Sequence, residues 1–396
     1  GVEAAQSADG SSNTNGAGGV PSTGGTVGFD AGEPDAGEPD AIDTDSGEAD
    51  YGEEDADRPH FPPTGEPIVA NDLEWTWVAF PDSLCRDGSS TGIGVSLNSI
   101  SNKVMIYLQG GNACYDLITC TLNPSSYSGV NFSGRSDGIF NRNNNDNPVK
   151  EWNYVFVPYC TGDVHGGDNV ADPGIGPQQY HGYRNMEIFL ERIVPTFPNV
   201  TQVLLTGESA GGFGAALTCD LVARRFPTGT TLTLINDSGP PMNTAYLPAC
   251  LQQKWRELWG FDGTFLTECG ASCPNPNGYA VDWPLYLANK YSTNSNAGLI
   301  QSTADETTRF FYGYGNNNCS PGLLASMPAA AFEAGLMDFR TTMQGVPNFG
   351  TFYINSTSHM WIGDDDTLYN TTVGGVRLVD WYRDIVEGNP PAHVGP

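Results

Sequence analysis

Basic residues are scarce in this chain. Lys and Arg number 17 against 46 Asp and Glu, and the formal net charge is -29. That balance makes nucleic acid and anionic membrane surfaces poor partners. Long apolar runs are missing as well: no stretch approaches the ~20 residues that a membrane span needs. No secretory leader is visible, so one is expected to have been removed or never to have existed. Zinc-type cysteine spacing is absent. The one C-x3-C pair, Cys269 and Cys273, has neither a second pair nor a nearby histidine. No metal and no cofactor is therefore expected. Histidine is limited to positions 60, 165, 181, 359 and 393, which narrows the choice of a catalytic base.

The charge is unevenly spread. Residues 1–60 hold fifteen Asp and Glu against a single Arg. The repeat Asp30-Ala31-Gly32-Glu33-Pro34-Asp35-Ala36-Gly37-Glu38-Pro39 lies within that stretch. A segment so poor in apolar residues cannot offset its chain entropy by burial. Residues 1–65 are expected to be a disordered acidic tether, and residues 66–396 one large α/β domain. Nine cysteines without metal spacing argue for an oxidising compartment. Their odd number leaves at least one unpaired within the chain. Cys219 is the expected buried free thiol.

The most informative stretch is Leu204-Leu205-Thr206-Gly207-Glu208-Ser209-Ala210-Gly211-Gly212. An apolar run ends in G-x-S-x-G, and small residues follow. Strand, sharp turn and helix together make this motif a nucleophile elbow, with Ser209 exposed above a sheet edge. A strained turn and close backbone approach require the glycines. Upstream, the apolar run Lys103–Leu108 leads into Gln109-Gly110-Gly111-Asn112. A glycine pair after an early strand is where α/β-hydrolases offer backbone N–H groups to an oxyanion. Further strands are expected near 74–78, 94–97, 152–160, 232–235 and 351–355, and 297–305 is expected to return to the sheet. A helix is expected over 183–194, closed by Pro195. Another continues from Leu217 to Phe226, and a closing amphipathic helix covers 376–385. Residues 240–298 break the alternation and read as a disulfide-stapled helical cap.

Ser209, Asp305 and His359 occur in the α/β-hydrolase order, each just past an expected strand. His359 is the base by elimination, with His165 second. His165, on the loop after the 152–160 strand, and Trp361 are candidates for the pocket. Two residues compete as the acid. Asp305 is preferred, because the cap separates it from the elbow strand; Asp237 is the alternative.

These stretches resemble the pectin acetylesterase family, which includes the Notum carboxylesterases. The resemblance rests on Leu108–Cys114, Val157–Asp163, Gly182–Asn185, Gly207–Gly212, Asp237–Gly239 and Ser358-His359. It implies an α/β-hydrolase fold, with a mostly parallel central sheet and helices on both faces. It implies a secreted or cell-surface serine esterase, with the Asp237 motif structural. It also implies an oxyanion site from the N–H groups of Gly111, Asn112 and Ala210, and disulfides Cys85–Cys160 and Cys114–Cys120. The sequence departs from the family at Gln109, where Glu is usual, and at Asn112, where Gly or an aromatic is usual. The cap matches poorly, so substrate identity does not carry over. The expected activity is hydrolysis of short acyl esters, acetyl above all, on a polysaccharide or other polyol by a monomer. The polar loops after Gly111 and Cys160 favour that reading. The alternative is a lipid or polyester acyl hydrolase using Trp255, Trp259, Phe261 and Phe265, whose helical spacing reads first as core. A peptidase on the same triad and a catalytically silent binding protein are further rivals.

Overall fold

The computed structural model describes residues 64–273, 278–293, 295–320 and 325–396. The acidic segment expected as a tether lies, up to residue 63, outside them. Nine strands form one sheet: β1 (Trp75–Phe80), β2 (Thr91–Ser96), β3 (Lys103–Leu108), β4 (Asn153–Val157), β5 (Gln202–Glu208), β6 (Thr231–Asp237), β7 (Ser295–Ser302), β8 (Phe349–Ile354) and β9 (His393–Val394). Their order across the sheet is β1-β2-β4-β3-β5-β6-β7-β8-β9. The pairs β1–β2 and β2–β4 are antiparallel, and every pair from β4–β3 onward is parallel. Parallel neighbours need crossovers, which the helices supply. This is the mostly parallel α/β-hydrolase sheet expected from the motifs.

The sequence of β3, KVMIYL, shows why the sheet is central. Val104, Ile106 and Leu108 join one apolar cluster, whereas Met105 and Tyr107 join another on the opposite face. Side chains alternate along a strand, so a run that is apolar throughout needs cover on both sides. One face carries α2 (Gly182–Thr196), α3 (Ala210–Leu217), α4 (Cys219–Arg225) and the cap. The cap comprises α5 (Ala249–Trp259), α6 (Phe265–Cys269) and α7 (Tyr279–Lys290). The other face carries α9 (Leu378–Val386), which buries Leu378, Val379, Trp381, Tyr382, Ile385 and Val386. Two expected helix boundaries differ. Helix α2 runs one residue past Pro195, which sits in the last turn and ends the helix only at Thr196. The helix expected through Thr218 is broken there. The Thr218 hydroxyl donates to the Gly214 carbonyl (2.7 Å), competing with the regular ladder.

Four disulfides are present: Cys85–Cys160, Cys114–Cys120, Cys250–Cys319 and Cys269–Cys273. Cys219 is free and buried. The cap is thus tied to Cys319, a residue beyond the expected 240–298 segment. Its last residues already belong to β7, which starts at Ser295. Among the described residues no helix is long and apolar enough to cross a membrane.

Helix α3 is pressed against β3. A Cβ at Gly211 would lie 1.9 Å from the Leu108 carbonyl oxygen, and one at Gly207 2.5 Å from the same atom. Gly211→Ala should therefore cost about 2–3 kcal/mol of stability. Gly263→Ala, with nothing within 4 Å of the added methyl, should stay within about 0.5 kcal/mol. Equal denaturant midpoints for the two variants would show that the helix can move away from the strand.

Candidate active site

Because β3 to β8 are parallel, their C-terminal ends share one edge, where α/β sheets gather ligand-binding loops. Register aligns Leu108 with Gly207, Glu208 with Asp237, and Ile354 with Ser302. Ser209 is the first residue past β5. It sits at φ 56°, ψ -123°, in the positive-φ region that non-glycine residues seldom occupy. Its N–H donates to the Asp237 carbonyl at 2.7 Å, and its own carbonyl accepts from Phe213 N–H at 3.1 Å. The strained turn is held from both sides.

Asp305 follows β7 and caps α8 (Glu306–Tyr312). Its Oδ1 accepts the Thr308 N–H at 2.9 Å. Oδ2 accepts from His359 Nδ1 at 2.7 Å and from Gln301 Nε2 at 2.9 Å. The Asp305 side chain is fully buried, and His359 is partly so. With Nδ1 bonded to the carboxylate, Nε2 is the ring's free atom. It has no hydrogen-bond partner and belongs to a residue lining the same cavity as Ser209.

Asp237 is brought to a different task. Its Oδ2 accepts the N–H groups of Trp361 (2.6 Å) and Ile362 (2.9 Å), and Oδ1 accepts the Ser238 hydroxyl (2.8 Å). The Ser238 oxygen in turn accepts Met360 N–H at 3.1 Å. Asp237 and Ser238 thereby clasp the three residues that follow His359. Burial pushes the Asp237 carboxyl up to about 7; the two N–H groups oppose the shift and the nearby Glu208 adds to it.

The loop after β3 approaches Ser209 closely. A Cβ at Gly110 would lie 3.0 Å from Ser209 Cβ. Asn112 adopts φ 67°. Asn112 and Ala210 line the cavity with Ser209 and His359. Among the described residues, the N–H groups of Gly111, Asn112 and Ala210 donate to no protein acceptor.

Two expected pocket residues lie elsewhere. His165 is buried behind the loop that follows β3, its Nε2 on the Gln109 carbonyl (2.9 Å) and its ring against Tyr159. Burial pushes its imidazole down to about 4, so the ring is a neutral donor to that carbonyl. Trp361 belongs to the cluster on the far face of the sheet, its indole N–H on the Ser302 hydroxyl (3.1 Å). Nor are the polar loops after Gly111 and Cys160 wholly exposed. Thr119 completes the capping box of α1 (Leu117–Leu122) with Asp116, and Thr161 donates to Asp163 inside the fold. Conversely, Trp255, Trp259 and Phe261, read first as core, wall the cavity together with Phe213, Tyr279 and Trp283. Phe265 packs behind them. The cavity has a volume of about 120 Å³.

The chain matches known proteins over this region. A family profile described as Pectinacetylesterase matches residues 72–273. The palmitoleoyl-protein carboxylesterase NOTUM of Schmidtea mediterranea is 30% identical over 161 residues, covering 37% of this chain and 30% of the relative. Pectin acetylesterase 11 of Arabidopsis thaliana is 27% identical over 165 residues, covering 40% of this chain and 42% of that one. The matched stretch thus spans well under half of either relative. The solved structure of the Wnt deacylase Notum from Drosophila superposes with a TM-score of 0.58 at 19% identity, covering 81% of this chain and 95% of the other. At that identity the likeness speaks for the fold.

The Asp237 carboxyl carries a pH prediction. An unfolded aspartate releases its proton near 3.8, whereas the folded one keeps it up to about 7. Between those values the native state binds more protons, so raising the pH withdraws stability. From about pH 4.5 to about pH 7.5, the melting temperature of the unaltered protein should fall several degrees more than that of Asp237→Asn. Parallel melting curves would remove Asp237 as the source.

Proposed function

The chain belongs to the pectin acetylesterase family, and from that membership we propose that it is a serine carboxylesterase working through an acyl-enzyme. One observation carries the reading. The Asp305–His359 pair leaves Nε2 without a hydrogen-bond partner, on a residue that lines one cavity with Ser209, Asn112 and Ala210. Ser209 Oγ attacks the ester carbonyl while His359 Nε2 takes its proton. Asp305 holds the imidazole tautomer and stabilises the imidazolium. The N–H groups of Gly111, Asn112 and Ala210 meet the developing oxyanion, each donor worth about 10²–10³ in rate. His359 then protonates the leaving alcohol, and water releases the acid. Asp237 positions the histidine loop. The four disulfides support an oxidising, extracytoplasmic setting.

The substrate is proposed to be a short acyl ester of a polyol, with acetylated carbohydrate first. A second reading has its own support. The cavity beside Ser209 is walled by Phe213, Trp255, Trp259, Phe261, Tyr279 and Trp283, a lining that suits a longer acyl chain.

Two experiments test these readings. Ser209→Ala should stay folded and lose at least ~10³-fold in kcat, and Asp305→Asn should lose far more activity than Asp237→Asn. Retained activity in Ser209→Ala would remove the nucleophile, and a reversed aspartate ranking would move the acid. The acyl group is decided by kcat/KM for acetyl, butyryl, octanoyl and palmitoyl esters of one alcohol. Rates highest for acetyl support the short-acyl reading. A steady rise to octanoyl, at about 0.8 kcal/mol per buried methylene, favours the second.

A further inference from the structure

A buried network lies directly behind the loop that follows β3. Arg86 and Asn123 are 5% and 6% exposed. Asn123 Nδ2 donates to the Gly111 carbonyl at 2.8 Å. Arg86 holds Asn123 in place: Nε donates to its Oδ1 (3.1 Å) and Nη2 to its main-chain carbonyl (2.9 Å). Nη2 also reaches the Cys120 carbonyl (3.1 Å), and Nη1 reaches Gln178 Oε1 (2.6 Å). The two neighbouring disulfides, Cys85–Cys160 and Cys114–Cys120, anchor the segments that carry this network.

The geometry has a directional consequence. The Gly111 carbonyl and the Asn112 N–H belong to one planar trans peptide, so they point in opposite directions. Fixing the carbonyl toward Asn123 aims the N–H away from it. That N–H has no protein acceptor, and Asn112 lines the cavity that holds Ser209 and His359. Asn112 itself sits at φ 67°, a conformation uncommon outside glycine that asparagine tolerates better than most residues. Its side chain is tied too, Nδ2 donating to the Leu122 carbonyl at 2.9 Å.

We propose that Asn123, clamped by Arg86, is a positioning residue for the oxyanion site: it orients the Gly111–Asn112 peptide so that the Asn112 N–H faces the reacting carbonyl. The proposal rests on the esterase reading. Asn123 acts through the peptide and not on the substrate, so its effect belongs to the transition state.

The discriminating variant is Asn123→Asp. It keeps an oxygen for Arg86 but turns the donor facing the Gly111 carbonyl into an acceptor. With p-nitrophenyl acetate, kcat should fall about 10- to 100-fold, a large part of one oxyanion donor's effect, while KM changes little. A short-chain trifluoromethyl ketone supplies a second readout. As Ser209 Oγ adds to its carbonyl carbon, the hydroxyl proton passes to His359 and the new alkoxide occupies the oxyanion site. Its affinity should weaken by the same factor as kcat/KM. Asn123→Ser, which shortens the side chain without adding charge, should show the same paired loss and serves if the Asp variant does not fold. An unchanged kcat, or a rise in KM alone with ketone affinity intact, overturns the proposal. Failure of the unaltered protein to hydrolyse the ester overturns the esterase reading, and this one with it.

Discussion

Asp237 joins the two halves of the candidate site. Its main-chain carbonyl accepts the Ser209 N–H, and its side chain accepts the N–H groups of Trp361 and Ile362. The Ser209 turn and the His359 loop follow strands β5 and β8, whose ends at Glu208 and Ile354 are 146 residues apart in sequence, yet both hang on one residue at the end of β6. Neither loop could hold its conformation alone. Ser209 and Met360 both occupy positive φ, and strained residues persist only where their surroundings over-determine them. The raised carboxyl of Asp237 is a cost of this arrangement, since the donors that fix it lie in a buried place.

The cap is held just as firmly. Asp220 on α4 is buried and accepts from Tyr291 Oη (2.6 Å), Arg224 Nε (2.8 Å) and Lys290 Nζ (2.9 Å). Burial alone would raise its pKa; the Tyr291 hydroxyl and the two cations outweigh that and hold it below the usual carboxylate range. Lys290 ends α7, so this cluster fastens the cap to α4. Cys250–Cys319 fastens α5 at the other side. The aromatic cavity wall is therefore built on supported helices, and its shape is set before any substrate arrives.

Much of this was legible in the sequence where the signal is local. The elbow is one continuous stretch, and its glycines are needed at Gly207 and Gly211 because the backbone of β3 passes there. Asp305 and His359 could be picked out one at a time, because each follows an apolar strand run. The choice between Asp237 and Asp305 was less legible, because both follow strands and the distinction lies in which loop curls toward His359. A helix-capping pattern was available: Asp305 accepts the N–H three residues on, as an N-cap does. His165 and Trp361 were misplaced because sequence locates a loop but not the side on which its rings turn. Trp255 and Trp259 were ambiguous in principle: helical spacing says that a face is buried, not whether it meets side chains or a cavity. Arg86 went unnoticed, although a lone arginine beside a paired cysteine in a chain so poor in cations was a usable signal.

The solitary Cys219 has a consequence for how the molecule matures. Eight cysteines alone can be joined in on the order of 100 ways, and a ninth reactive thiol would keep reopening them. Exchange requires a thiolate that can reach a disulfide. Cys219 is buried on α4 beside the cavity, where burial pushes its thiol up. A thiol withdrawn in this way is a poor partner for exchange, so the packed fold itself protects the four bridges from the odd sulfur.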